Sequence, residues 1–224
     1  MGNTADHLHP ISQTVLTTWG IMVALWLVCW SSTRRLRLEP GSWQVVLEGI
    51  VATIEDATAA VLPDHAAQVL PVVGTLWIFI AVANLIGIIP GLSAPTGDLS
   101  LTAALAIFVF LSVHWFGIRI HGLRVYLRHY IEPNPLLLPF HIVSEISRTV
   151  ALAVRLFGNM FSLEMAALLV LLVAGFLVPV PVLLLHIVEA LVQAYIFGML
   201  ALIYIAGGIQ SLESTIEERT GADS

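Results

Sequence analysis

Between Leu136 and Phe176 run 41 residues with no proline after Pro139 and only two glycines, Gly158 and Gly175. As one helix rising about 1.5 Å per residue, this stretch would be about 60 Å long, twice the roughly 30 Å thickness of a bilayer's hydrocarbon core. A hairpin would halve that length, but it needs a turn, and Gly158-Asn159 is flanked directly by helix-compatible apolar residues. The stretch is therefore expected to be one long helix, strongly tilted or bent. Arg155 sits inside it, in Thr149-Val-Ala-Leu-Ala-Val-Arg155-Leu-Phe-Gly-Asn-Met-Phe-Ser-Leu163. A charge at a bilayer centre costs at least about 2.5 to 3.5 kcal/mol, and it marks an ion path or a paired structural site. A guanidinium stays protonated, so it serves as a fixed charge and not as a proton carrier.

The rest of the chain agrees with a membrane setting. Of its 224 residues 58% are hydrophobic and 11% charged, with a mean hydropathy of +0.93, well outside the range of soluble domains. The net charge of -6 and the lack of any Lys exclude a polybasic patch and argue against a nucleic acid partner. Cys29 is the single cysteine, so neither an intrachain disulfide nor a cysteine metal site is open to this sequence. No cofactor or metal is expected. The first residues lack the basic region of a signal peptide, and no small-residue cleavage site follows the first apolar run, so that run is expected to be retained.

Residues 11–30 form a charge-free run long enough to span, and Arg34, Arg35 and Arg37 follow at once. The positive-inside rule puts that end in the cytoplasm and the N-terminus outside. Residues 43–62 mix Val45, Val46, Ile50, Val51 and Ile54 with Gln44, Glu48, Glu55 and Asp56, the pattern of an amphipathic helix at the interface. Spans are expected at 69–90 and 99–117, joined by a turn rich in Gly and Pro. The following loop holds Arg119, Arg124 and Arg128 and belongs inside; these arginines, like those after the first span, are topology signals. After 136–176, Val178-Pro179-Val-Pro181 breaks the helix and 182–208 supplies a last one, with a short polar tail beyond. The expected fold is an all-α membrane protein in one integral domain, 1–224. It has five membrane helices, the last two long and strongly tilted, plus one interfacial helix. The C-terminus is inside, with seven of nine Arg cytoplasmic, two in the membrane and none outside.

At 100° per residue, Arg148, Arg155, Asn159 and Ser162 share one stripe of the long helix, whereas Glu164 falls on the opposite face. In the last helix His186, Glu189 and Gln193 lie three and four residues apart on one polar stripe. His and Glu exchange protons when their site tunes them, and Gln orients water or bonds a partner. With Glu145 and Glu164 nearby in sequence, the two helices would border a hydrated, titratable path. His186 alone also fits a plain interhelical hydrogen bond, and Asn84, Ser112 and His114 read as packing or interface groups. No spacing here matches a zinc site, a phosphate loop or a nucleophile motif.

Arg155-Leu-Phe-Gly-Asn-Met160, preceded by Glu145-Ile-Ser-Arg148 and followed by Glu164, resembles the signature of subunit a of rotary F-type ATP synthases. Asn84-Leu-Ile-Gly-Ile-Ile-Pro90, Pro95-Thr-Gly-Asp98-Leu-Ser-Leu-Thr102 and His186 seven residues before Gln193-Ala-Tyr-Ile-Phe197 extend the likeness in the family's order. The resemblance implies a non-catalytic stator subunit of a bacterial plasma (inner) membrane. Its partners would be a rotating ring of carboxylate-bearing c subunits, the peripheral-stalk b subunits, lipid and the translocated proton. Arg155 would face the ring and separate two aqueous half-channels, and Glu164, His186 and Gln193 would belong to the ion path. Leu163, where many members have a small residue, and the extra carboxylate Glu189 depart from the family pattern. They leave open the divergent N-type branch and sodium in place of the proton. A self-contained secondary transporter, with Arg155 binding an anion, is the alternative of another class; the chain shows no internal repeat of the kind such folds carry.

Overall fold

A computed structural model of the chain describes residues 8–34, 41–89, 94–126, 138–174 and 179–222, with their side chains apart from those of 8–13, 138, 164, 167, 171, 173–174, 179–180, 182 and 214–222. Six long helices follow one another: α1 Leu8–Arg34, α2 Ser42–Val61, α3 Ala66–Ile86, α4 Leu99–His121, α5 Leu138–Ala174 and α6 Pro179–Ala222, with a 3₁₀ turn at Pro95–Gly97 before α4. Five of these, all but α2, contain segments long and apolar enough to cross a membrane. The chain is an all-α membrane protein. Within α5 the membrane-compatible segment Pro139–Val170 holds 32 residues. That is about 48 Å of helix, too long to stand upright in a hydrocarbon layer of about 30 Å.

The largest departure from the sequence reading is the last helix, which has 44 residues from Pro179 to Ala222 instead of spanning 182–208. Pro179 and Pro181 were read as the break itself. They occupy the first turn of α6, where a missing N–H costs nothing because that turn has no acceptor for it. The polar tail continues the helix, since Leu212, Glu213, Glu217, Glu218 and Ala222 are residues of good helix propensity. α3 stops at Ile86, short of Pro90, because Gly87, Ile88 and Ile89 donate to carbonyls three residues back and tighten the chain into a 3₁₀-type turn.

α6 runs through the middle of the bundle, and its buried face is made of Ala190, Ala194, Phe197, Ala201, Leu202, Ile205 and Ile209. The small residues Ala190, Ala194 and Gly198, four apart, let α3 approach closely, as small-residue stripes do between membrane helices. Trp77 of α3 lies directly over Gly198; a Cβ there would sit 2.6 Å from the indole ring. Contacts of Asn84 with Ala190, Trp77 with Gly198 and His65 with Glu213 show that α3 and α6 are antiparallel. Asn159 with Gln193 and Arg148 with Tyr204 make α5 and α6 antiparallel as well. α4 runs parallel to α6, with Gly208 against Val113 and Leu212 against Gly117.

A buried polar knot fixes the far end of α3. Asn84 Nδ2 donates to the carbonyl of Ala190 at 3.2 Å, and the Thr96 hydroxyl donates to Asn84 Oδ1 at 2.6 Å. All three residues are inaccessible to solvent, so the bonds satisfy groups that would otherwise be stranded. Asn84, read from sequence as a packing or interface group, ties α3 to both the 3₁₀ turn and α6.

Asp98 caps α4, its carboxylate accepting from the Ser100 backbone N–H at 2.9 Å and the Ser100 hydroxyl at 2.8 Å. Partial burial pushes its pKa up, but the two Ser100 bonds and one from Thr14 of α1 outweigh that, leaving it below the ordinary carboxylate value. A depressed folded pKa stabilises the protein above the unfolded value and ceases to do so as pH falls through the folded one. Asp98→Ala should therefore destabilise the purified protein by about 0.5 to 2 kcal/mol at pH 7, the usual range for a lost helix cap. Below about pH 4, near the ordinary Asp value, the difference from wild type should shrink. Thermal melts across that pH range check it; a gap that persists unchanged in acid would rule out the charged cap.

Candidate functional site

Arg155 lies on α5 with its side chain exposed, between exposed Val154 and fully buried Leu156. It therefore stands at the border between the helix face packed in the bundle and the outer face, which shows Val143, Ile146, Val150, Val154 and Phe161. Among the described residues Arg155 has neither a hydrogen bond nor an ion pair. Gly158, one turn on, borders open space.

On the C-terminal side of Arg155, Asn159 Nδ2 donates to Gln193 Oε1 at 2.6 Å. Gln193 is buried, and its Nε2 has no partner among the described residues; the same holds for Nε2 of buried His186 two turns earlier on α6. Glu189 lies between them in sequence and is half-buried. The Glu164 side chain is outside the described residues, so its expected place opposite Arg155 is not described.

On the N-terminal side, Glu145 and Arg148 line a cleft of about 220 Å³ with His141 of α5, Tyr126, and Val113, Tyr204, Ser211 and Leu212 of α4 and α6. The Arg148 guanidinium stacks over the Tyr204 ring, 4.8 Å from its centroid, a contact that holds a cation without neutralising it. The local backbone explains the cleft. α4 ends at Gly122, whose φ of 84° suits glycine, and the chain folds back so that Tyr126 lies on Gly117. A Cβ at Gly117 would meet that ring at 2.6 Å.

Between these two polar groups α5 carries Leu152 and Leu156 and α6 carries Phe197 and Ala201, all four buried in the same apolar core. The site residues named from sequence thus fall into two sets. Asn159 and Gln193, with His186 and Glu189 in the two preceding turns of α6, make one, and Glu145 with Arg148 makes the other; Arg155 stands between them on the outer flank. Sequence reasoning missed His141, Tyr126 and Tyr204. His141 was within reach, since it precedes Glu145 and Arg148 at helical spacing; Tyr126 and Tyr204 depend on interhelical register that one sequence does not carry.

The family described as ATP synthase A chain matches residues 15–206. ATP synthase subunit a 2 of Pelobacter propionicus is 66% identical over 210 residues, covering 93% of this chain and 92% of its own. ATP synthase subunit a of Legionella pneumophila (strain Paris) is 63% identical over 205 residues, covering 91% and 89%. ATP synthase subunit a 1 of Hahella chejuensis is 59% identical over 221 residues, covering 97% and 94%. With a family match across most of its length and full-length relatives at this identity, the chain belongs to the family of subunit a of F-type ATP synthases.

Proposed function

We propose that this membrane subunit is the stator ion path of its complex, with two half-channels that open to opposite sides and meet only through the carboxylates of a rotating c ring. The observation that carries this reading is the division of the polar residues into two sets separated by Leu152, Leu156, Phe197 and Ala201. The Arg148 and Asn159 contacts are eleven residues apart on α5, about 16 Å of helix. An ion entering one set has no polar continuation to the other within the described residues. The route must leave the subunit, and Arg155 is the exposed charge at the place where it would leave.

Each part has a role. Asn159 and Gln193 hold a hydrogen-bonded contact on one path, with His186 and Glu189 as titratable groups along it; Glu164 belongs to the same end of α5. Buried amide and imidazole nitrogens need hydrogen-bond partners, and Gln193 Nε2 and His186 Nε2 have none among the described residues, which suits a hydrated path. Glu145 and Arg148 line the other. The positive-inside rule assigns their cleft to the cytoplasm, because Val113 and Tyr126 of its lining flank the end of α4, which carries Arg119 in its last turn and is followed by Arg124. The subunit itself is non-catalytic. Each unit charge moved is worth about 2.3 kcal/mol per 100 mV, and rotation passes that work to the catalytic sector. The ring and the peripheral-stalk b subunits complete the assembly.

The reading is tested in liposomes that hold the whole complex. ATP-driven acidification is expected in sodium-free medium; a strict need for sodium would assign sodium as the ion. Gln193→Leu strands Asn159 and removes one interhelical hydrogen bond, worth about 0.6 to 1.7 kcal/mol in membranes, so pumping should slow by roughly 3- to 18-fold. Replacing Glu189 or Glu145 by Gln should give a smaller, severalfold loss, since water substitutes in part for one group. Full pumping with unchanged pH dependence when Glu189, His186 and Gln193 are all replaced would overturn the path.

A further inference from the structure

At the end of the bundle where α3 begins and α4 ends, three titratable groups from three helices converge. His65, the residue that caps α3, places Nε2 3.1 Å from Glu213 Oε1 of α6. His121, the last residue of α4, places Nε2 4.0 Å from the same oxygen. The histidines are 20% and 7% exposed and the glutamate 41%. Both imidazoles keep a buried Nδ1 without a partner among the described residues. One turn earlier, Gln210 Nε2 donates to the Val61 carbonyl at the end of α2, at 3.3 Å. Residues 210–213 of α6 are thus tied to α2, α3 and α4. The neighbouring Ser211 and Leu212 form a wall of the Glu145–Arg148 cleft.

The geometry points to a protonation-dependent clasp: His65 and His121 on Glu213 hold the end of α6 against α3 and α4, and so set the opening of the adjacent cleft according to pH on that side. One carboxylate oxygen shared by two neutral imidazoles gains little more than a single hydrogen bond. With the imidazoles protonated it becomes the centre of a charge-assisted cluster. An unperturbed imidazole changes charge between about pH 5 and 8, and only its charged form makes the charge-assisted contact, so the closed clasp is favoured as pH falls. The other charged groups on α2 and at these ends of α3 and α4 are exposed: Glu48, Glu55 and Asp56 on α2, Asp64 beside His65, Arg119 two residues before His121, and Arg124 beyond the turn. Across the cleft α5 presents His141, Glu145 and Arg148. Among the described residues Glu213 forms no ion pair with Arg119, Arg124 or Arg148.

The clasp stands without the ion-path reading, and only its effect on flux rests on that reading. Hydrogen exchange of the intact ATP synthase, corrected for intrinsic rate, should show amides 209–213 at least threefold more protected at pH 6 than at pH 8. Glu213→Gln should abolish that ratio, and so should His65→Gln combined with His121→Gln. His65→Lys, a permanent cation, should keep protection high at both pH values. Equal protection of the wild type at both pH values, or an unchanged ratio in Glu213→Gln, would overturn the clasp. ATP-driven pumping measured across the same pH range separates the two readings: a pH-dependent exchange ratio with pumping that ignores Glu213→Gln keeps the clasp and removes the cleft from the ion path.

Discussion

Arg155→Ala should reduce ATP-driven ion pumping to background while leaving assembly of the complex and its thermal stability unchanged. The two halves of this expectation have separate physical grounds. Arg155 is exposed and makes no ion pair or hydrogen bond among the described residues, so truncating it removes no contact that holds the bundle together; such substitutions typically change stability by within about 0.5 kcal/mol. Its work lies toward a partner. A unit-charge pair at about 4 Å and an effective dielectric near 20 is worth about 4 kcal/mol, roughly a thousandfold in rate. Without that attraction nothing obliges a ring carboxylate to release its ion on one side before it takes up another on the next. Pumping by reconstituted complex, measured beside subunit content and melting temperature, checks both halves. Coupled transport above about a tenth of wild type would refute the role given to Arg155, because a term of this size cannot be lost so cheaply. Loss of the complex itself would show that the charge holds the assembly together.

The sequence made Arg155 visible because its cost is written in composition: a permanent cation in a run this apolar demands an explanation. Helix number and order were legible for the same reason, since long charge-free runs are read directly as spans. The stripe of Arg148, Arg155, Asn159 and Ser162 was legible only in part. Helical spacing puts these residues within about 60° of one another, and the buried arc of α5 begins at that same angle. Arg148 and Asn159 reach inward to Tyr204 and Gln193, while Arg155 and Ser162 stay outside. Periodicity names a face, but the neighbouring helix decides where the face is cut. The last 14 residues of α6 were not legible as helix, because the reading followed hydropathy and that segment is polar; contacts of Gln210 and Glu213 with Val61, His65 and His121 hold at least its beginning in place. The knot of Asn84, Thr96 and Ala190 and the Trp77–Gly198 contact join residues far apart in the chain, and no local pattern announces such pairs.

That contact gives the largest structural effect expected of any single change. Gly198→Val should destabilise the bundle by at least about 1 to 3 kcal/mol, the usual cost of overpacking, and should disturb ion transport from a position outside both polar sets. Even the first carbon of a side chain at 198 would lie 2.6, 2.9 and 3.0 Å from three Trp77 ring atoms, and the indole is itself buried in the core. Neither a rigid ring nor a helix backbone yields as a flexible side chain would, so α3 and α6 must separate. Asn84 would be drawn off Ala190 one way along α6 and His65 off Glu213 the other, and Gln193, on the turn before Gly198, would shift against Asn159. Melting of the purified complex and its pumping rate should therefore fall together. Trp77→Leu in the same chain should restore much of both, because it removes the ring that valine strikes. If Gly198→Val alone melts like wild type, the close packing of α3 on α6 is not what fixes the register of the ion path. If Trp77→Leu fails to rescue it, the strain lies elsewhere on α6.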